Sequence, residues 1–118
     1  MSEQKIAKIT DTFLGYEDHG ILTAYVTFDF GGSSQGLAPR HFGGTLDPDE
    51  PDKWHDSYAN GFDFVSRLLK ACGVDRWEKL KGRTVLVTGT QTNITKVEPL
   101  PTERGKEFDI ERWAAGLK

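Results

Sequence analysis

The sequence predicts a β-rich α+β domain, and three features predict it. Between Gly20 and Gly31, Leu22, Ala24, Val26, Phe28 and Phe30 alternate with Thr23, Tyr25, Thr27 and Asp29. That period of two, rich in β-branched and aromatic residues, is the pattern of a half-buried antiparallel strand over Ile21–Phe30. Later, Tyr58, Phe62, Val65, Leu69 and Cys72 recur at three- and four-residue steps, with Phe64, Leu68 and Ala71 widening the stripe, which predicts one amphipathic helix over 57–72. Finally, Arg83–Thr90 and Ile94–Glu98 flank a turn at Gln91–Asn93, the layout of a closing hairpin.

Each element has a local reason. Lys5–Leu14 places Ala7, Ile9 and Phe13 on one strand face and Lys8, Thr10 and Thr12 on the other. Gly15–Gly20 connects it to the second strand as a hairpin. Gly31-Gly32-Ser33-Ser34-Gln35-Gly36 reads as a turn or mobile loop, and Leu37–Phe42 as a short third strand, with Pro39 marking an edge or bulge. Pro48, Pro51 and four acids make Asp47–Lys53 an exposed loop.

Asp56 or Ser57 is suited to cap the helix. Gly73 ends it in the left-handed conformation, with Val74 making the accompanying apolar contact. Asp75–Leu80 follows as a short turn in which Trp77 covers the core. In the hairpin, Val85 and Val87 face one way and Leu86 the other. Pro99 and Pro101 end the sheet, and the tail over 99–118 carries a short helix from Asp109 to Leu117. That helix is too short to persist unless docked.

Three strands, a helix and two strands is the order of the five-stranded Greek-key barrel called the OB-fold, in which the helix plugs the barrel's open end. An antiparallel sheet with the helix packed across one face has the same element order. With 118 residues, the chain is read as a single domain, 1–118. Its net charge of −3 creates no strong field toward nucleic acid or anionic membrane. Cys72 is the sole cysteine, which excludes an internal disulfide and fits a reducing cytoplasm. No segment approaches the ~18 apolar residues of a membrane span.

Three stretches carry a resemblance. They are Phe13-Leu14-Gly15-Tyr16-Glu17-Asp18-His19-Gly20-Ile21, the Gly31-Gly32 to Gln35-Gly36 loop, and Gly73-Val74-Asp75-Arg76-Trp77-Glu78-Lys79-Leu80-Lys81-Gly82. In these the chain is similar to a family of small, largely uncharacterised proteins of tailed bacteriophages and prophages. Leu80-Lys81-Gly82-Arg83, entering the last hairpin, resembles in layout the OB-type single-stranded-DNA-binding proteins of phages. The resemblance implies a phage accessory protein in the host cytosol; it assigns no functional residue.

Reaction chemistry finds little support. Glu17-Asp18-His19 could tune a general base or contribute to a metal site only if a turn made adjacent residues converge; a polar hairpin connection explains the same residues. His41 and His55 share no ligand spacing with His19. Asp47, Asp49, Glu50 and Asp52 fail the EF-hand pattern, because Asp52 stands where glycine is needed. Gly31 to Gly36 lacks the Lys-Ser/Thr of a phosphate-binding loop, and Leu37-Ala38 occupies those positions. Cys72 packs on the core side of its helix. No cofactor is implied.

Recognition is better supported. Single-stranded nucleic acid needs exposed aromatics for stacking and nearby cations for phosphates. Tyr25 lies opposite the apolar face, and Lys8, Arg40, Arg83 and Lys96 would line the same side of a barrel. Glu17, Asp18, His19 and Gln35 form a loop suited to a ligand or partner. The expectation is a non-enzymatic protein that binds single-stranded nucleic acid. The alternative is an anti-defence or host-takeover protein that inhibits a host protein, suggested by mild acidity and the acidic loop; a hydrolase centred on Glu17-Asp18-His19 ranks last. An exposed face at Ile110, Trp113 and Leu117 would join two copies as a homodimer.

Overall fold

The computed structural model describes residues 3–16, 22–38, 55–90 and 93–116, with side chains of the helix from residue 59 onward. The chain forms β1 (Glu3–Tyr16), β2 (Leu22–Asp29), β3 (Ser34–Leu37), α1 (His55–Cys72), a 3₁₀ turn (Trp77–Lys79), β4 (Thr84–Gly89), β5 (Ile94–Glu98), β6 (Phe108–Asp109) and α2 (Ile110–Ala115). It is a β-rich α+β fold with one antiparallel sheet in the order β3-β2-β1-β4-β5-β6.

The alternating strand is β2, with Ala24, Val26 and Phe28 fully buried as their spacing requires. β1 is longer than expected and serves two neighbours. Residues 3–8 pair with β4, and residues 8–16 pair with β2. Its register on β2 shifts between Ile9 and Asp11, so Thr10 is the extra residue of a β-bulge. Every side chain beyond the bulge therefore changes face. Ala7 and Ile9 enter the core, whereas Phe13 stands opposite Tyr25 on the outer face. The expectation that Phe13 shares a face with Ala7 and Ile9 is thus corrected by one inserted residue.

β3 also departs from expectation: it is Ser34–Leu37 rather than Leu37–Phe42. The glycine loop shortens to a tight turn in which Phe30 N–H donates to Ser33 O at 2.9 Å and Gly31 N–H to Asp29 Oδ1 at 2.9 Å. Gly31 takes φ 97°, the left-handed region that favours glycine. Ser34 to Gly36 are then free to pair with β2. Pro39 to Phe42 and the acidic loop Asp47–Asp52 lie outside the described residues.

α1 begins at His55 rather than at 57, so Asp56 and Ser57 lie inside it rather than capping it; its end at Cys72 agrees. Gly73, at φ 70°, closes it, with Gly73 N–H donating to Lys70 O and Val74 N–H to Leu69 O. The buried face is Phe64, Leu68, Ala71 and Cys72. Phe62, expected inside, is 80% exposed. At 100° per residue, positions 61, 64, 68 and 71 define one line, and Phe62 falls to its side.

The core joins this helix face to Ile9, Val26, Phe28, Val85, Val97 and Phe108. Each fully buried Phe contributes about 3 kcal/mol. Trp77 packs against the core edge, as its position suggested. Of the two expected arrangements the structure has the antiparallel sheet with a packed helix; it counts six strands because the tail adds β6 beside β5, and no backbone ladder joins β3 to another edge among the described residues.

The tail is docked. Phe108 is buried, and Asp109 caps α2 by accepting from Arg112 N–H at 3.0 Å. Ile110 and Trp113 pack on the chain's own core, so the apolar face expected to join two copies is largely used internally. Leu117 lies outside the described residues.

Candidate functional site

The bulge at Thr10 builds the first candidate surface. Phe13 and Tyr25 are paired across β1 and β2 and stack with ring centroids 5.4 Å apart and planes 15° from parallel. Both rings are half-buried on the sheet face away from the core. On the same face Lys8 stands opposite Asp29 on one side and Thr84 on the other. Ile6, 64% exposed, faces Leu86 across β1 and β4.

Of the residues expected to bind nucleic acid, Lys8, Tyr25 and Lys96 are brought to this face. Lys8 has no ion pair among the described residues. Lys96, two strands away, is held by Glu107 at 3.5 Å. Arg83 lies elsewhere. It precedes β4 and reaches the end of α1, where its Nε donates to Cys72 O at 2.8 Å and its guanidinium meets Glu103 at 3.2 Å. Arg40, Glu17, Asp18 and His19 lie outside the described residues.

Gln35 faces the core side, beside Leu37 and opposite Phe28. With its amide oriented as its partners require, Gln35 donates to Thr90 O at 3.2 Å and accepts from Asn93 N–H at 2.8 Å. It thus ties the β3 edge to the β4–β5 turn by a side chain where no ladder forms. Both polar ends of its amide are used by these bonds within the chain.

The charge on the outer face is mixed. Asp11, Asp29 and Glu98 share it with Lys8 and the ion-paired Lys96, and Glu98 accepts from the Gln4 amide at 2.5 Å. Stacking rather than phosphate attraction is therefore the stronger property of this face.

A second feature lies between α1 and α2. Asp63 receives Trp113 Nε1 at 2.8 Å and Arg67 Nε at 3.0 Å. Burial pushes its carboxyl up, but bonds from Trp113 and Arg67 and the nearby charges of Arg67 and Lys70 outweigh this and hold it below the ordinary carboxylate value. An open cleft of about 610 Å³ runs along this contact. The sequence contained a signal for it: Asp63, Arg67 and Lys70 share one helix face at steps of four and three. Lys106, Arg112 and Trp113 join them only through the docked tail.

Nucleophilic chemistry has no foothold at Cys72. Burial pushes its thiol up to about 12, against a smaller opposing effect of Arg83, so it is protonated at neutral pH. No cluster of His, Cys, Asp and Glu able to hold a metal occurs among the described residues, and no helix among them is long and apolar enough to cross a membrane. No protein-family model, curated protein or solved structure matches the chain.

Proposed function

We propose that this is a non-enzymatic, cytoplasmic phage-type accessory protein that binds single-stranded nucleic acid across the outer face of β1 and β2. The observation that carries the reading is the Phe13–Tyr25 stack on a sheet face that neither α1 nor α2 covers. Two parallel rings offer a platform to successive bases, each stacked base contributing about 1–3 kcal/mol. The order β3-β2-β1-β4-β5, with β1 bent at a bulge and shared between both halves, supports an OB-like origin for the sheet, and Gln35 spans the seam that such a barrel closes. The resemblance to phage proteins over Phe13–Gly82 supports the same context.

Fluorescence anisotropy with a labelled oligothymidine tests this at low salt. Binding is expected to weaken on Phe13→Ala or Tyr25→Ala. Lys8 has no ion pair among the described residues and Lys96 is held by Glu107, so the slope of log K against log salt should be shallow, about −0.7 per phosphate contacted. Absence of binding at low salt overturns the reading. A protein-inhibitor reading is favoured instead by exposed Ile6, paired with half-buried Leu86, among Asp11, Asp29 and Glu98. Capture of one host protein, lost in Ile6→Asp, would support it.

A further inference from the structure

We propose that the cleft between α1 and α2 is a binding site for a phosphate monoester carried on an organic body, such as a nucleoside monophosphate or the 5′ end of a strand. It is separate from the outer sheet face. Two adjoining depressions, of about 610 and about 120 Å³, share Asp63, Arg67, Lys106 and Glu107. Each acid along them already has a partner: Asp63 holds Trp113 and Arg67, Glu107 pairs with Lys96, and Asp109 caps α2. The side chains of Lys70, Lys106 and Arg112 have no ion-pair partner among the described residues. Lys106 lines both depressions, with Arg112 beside it in the larger and Lys70 in the smaller.

The backbones of Lys70 and Lys106 are joined. Lys106 N–H donates to Lys70 O at 3.1 Å, so the two lysines start from hydrogen-bonded residues. Gly105, at φ 158°, permits this approach, since a Cβ there would lie 2.6 Å from Lys70 O. Arg83 fastens the same junction by bonding Cys72 O and Glu103. Such fixed placement lowers the ordering cost of binding.

A dianionic phosphate, with several acceptor oxygens, matches converging Lys and Arg donors better than a single carboxylate does. The larger depression far exceeds one phosphate and falls in the range of small-molecule sites. Its other wall, Ala59 and the Trp113 ring, offers apolar surface to the rest of the ligand.

The test is amide chemical-shift titration of the full chain at low ionic strength with inorganic phosphate, adenosine monophosphate, and matched oligonucleotides bearing a 5′ phosphate or a 5′ hydroxyl. Adenosine monophosphate or the phosphorylated strand should shift Lys70, Lys106 and Arg112, with inorganic phosphate acting weakly on the same amides. Preference for the free nucleotide or for the phosphorylated strand identifies the source. The double variant Lys70→Gln/Lys106→Gln should weaken binding about tenfold or more with unchanged melting temperature, while Lys81→Gln binds normally. Phe13→Ala should leave these shifts intact, which separates this site from the sheet face. No shifts at the three amides with any probe at millimolar concentration, or equal binding by the double variant, overturns the proposal.

Discussion

Asp63 and Trp113 meet side chain to side chain across 50 positions of sequence, with indole Nε1 donating to the carboxylate at 2.8 Å. The contact fastens a six-residue helix, too short to hold its shape alone, to the middle of α1. The Trp113 ring completes an aromatic cluster with Phe64 and Phe108, each centroid 5.6 Å from the others. These contacts add to the β5–β6 ladder and the Lys106 N–H to Lys70 O bond in docking the tail.

Acid should loosen this junction. The folded-state carboxyl of Asp63 titrates below its unfolded value of 3.8. Its contribution is therefore fully present above that pH and lost as pH falls through the lower, folded value. The group is 45% exposed, so the effect is small. Thermal melts from pH 7 down to pH 3 should show a shallower acid-side decline in Asp63→Asn than in the parent chain. Identical profiles would remove Asp63 from the account.

Phe62 and Phe64 are two positions apart and should behave oppositely. Phe64→Ala leaves a cavity among Phe108, Trp113 and the sheet and should cost about 3–5 kcal/mol. That is a large share of the ~5–15 kcal/mol typical of a domain. Phe62→Ala should change stability by less than about 0.5 kcal/mol. Urea unfolding of both variants measures the difference.

Arg83 separates structure from binding. Its bonds to Cys72 O and Glu103 predict that Arg83→Ala destabilises the chain by about 1–2 kcal/mol. Oligothymidine affinity should be unchanged, because the side chain lies away from the Phe13–Tyr25 face. A lost affinity with unchanged melting temperature would return Arg83 to the recognition surface.

Gln35 should act as a clasp. In Gln35→Ala the β3 edge loses its two bonds to the β4–β5 turn. Amide exchange at Gly36 and Leu37 should accelerate while that of β1 and β4 stays slow. The global cost should be about 1 kcal/mol.

Cys72 should resist alkylation in the folded chain. Its thiol is raised to about 12 from 9.0, so thiolate is scarce at pH 8, and the side chain is buried. Iodoacetamide should label it only after denaturant unfolds the chain. Rapid labelling of the native protein would mean that α1 opens locally.

Local pattern made much of this molecule legible. Ala24, Val26 and Phe28 went inward, and Gly73 ended α1 with the expected backbone bonds, because alternation and a left-handed glycine are set by neighbours a few residues away. The β5 boundaries agreed for the same reason. Phe13 was misplaced because a bulge leaves no mark on hydrophobic period: Thr10 is an ordinary strand residue, and only pairing with β2 reveals it as extra. Phe62 stays outside because the expected stripe is wider than the face the sheet covers, which runs through Phe64, Leu68, Ala71 and Cys72. In the candidate sites, Tyr25 and Lys8 could be read from strand parity, whereas the cationic cleft needed Lys106 and Arg112 to be carried to α1.

By itself, the sequence determined the strands β1, β2, β4 and β5, the helix α1, the inward face of β2, the stop at Gly73 and the lack of a recognisable reaction motif. Tertiary structure decided the outer aromatic stack, the sixth strand, the side-chain closure at Gln35 and the convergence of cations beside Trp113. Short-range rules follow from backbone sterics and burial along one element. Which elements meet depends on packing energies summed over residues far apart, and no local window contains them.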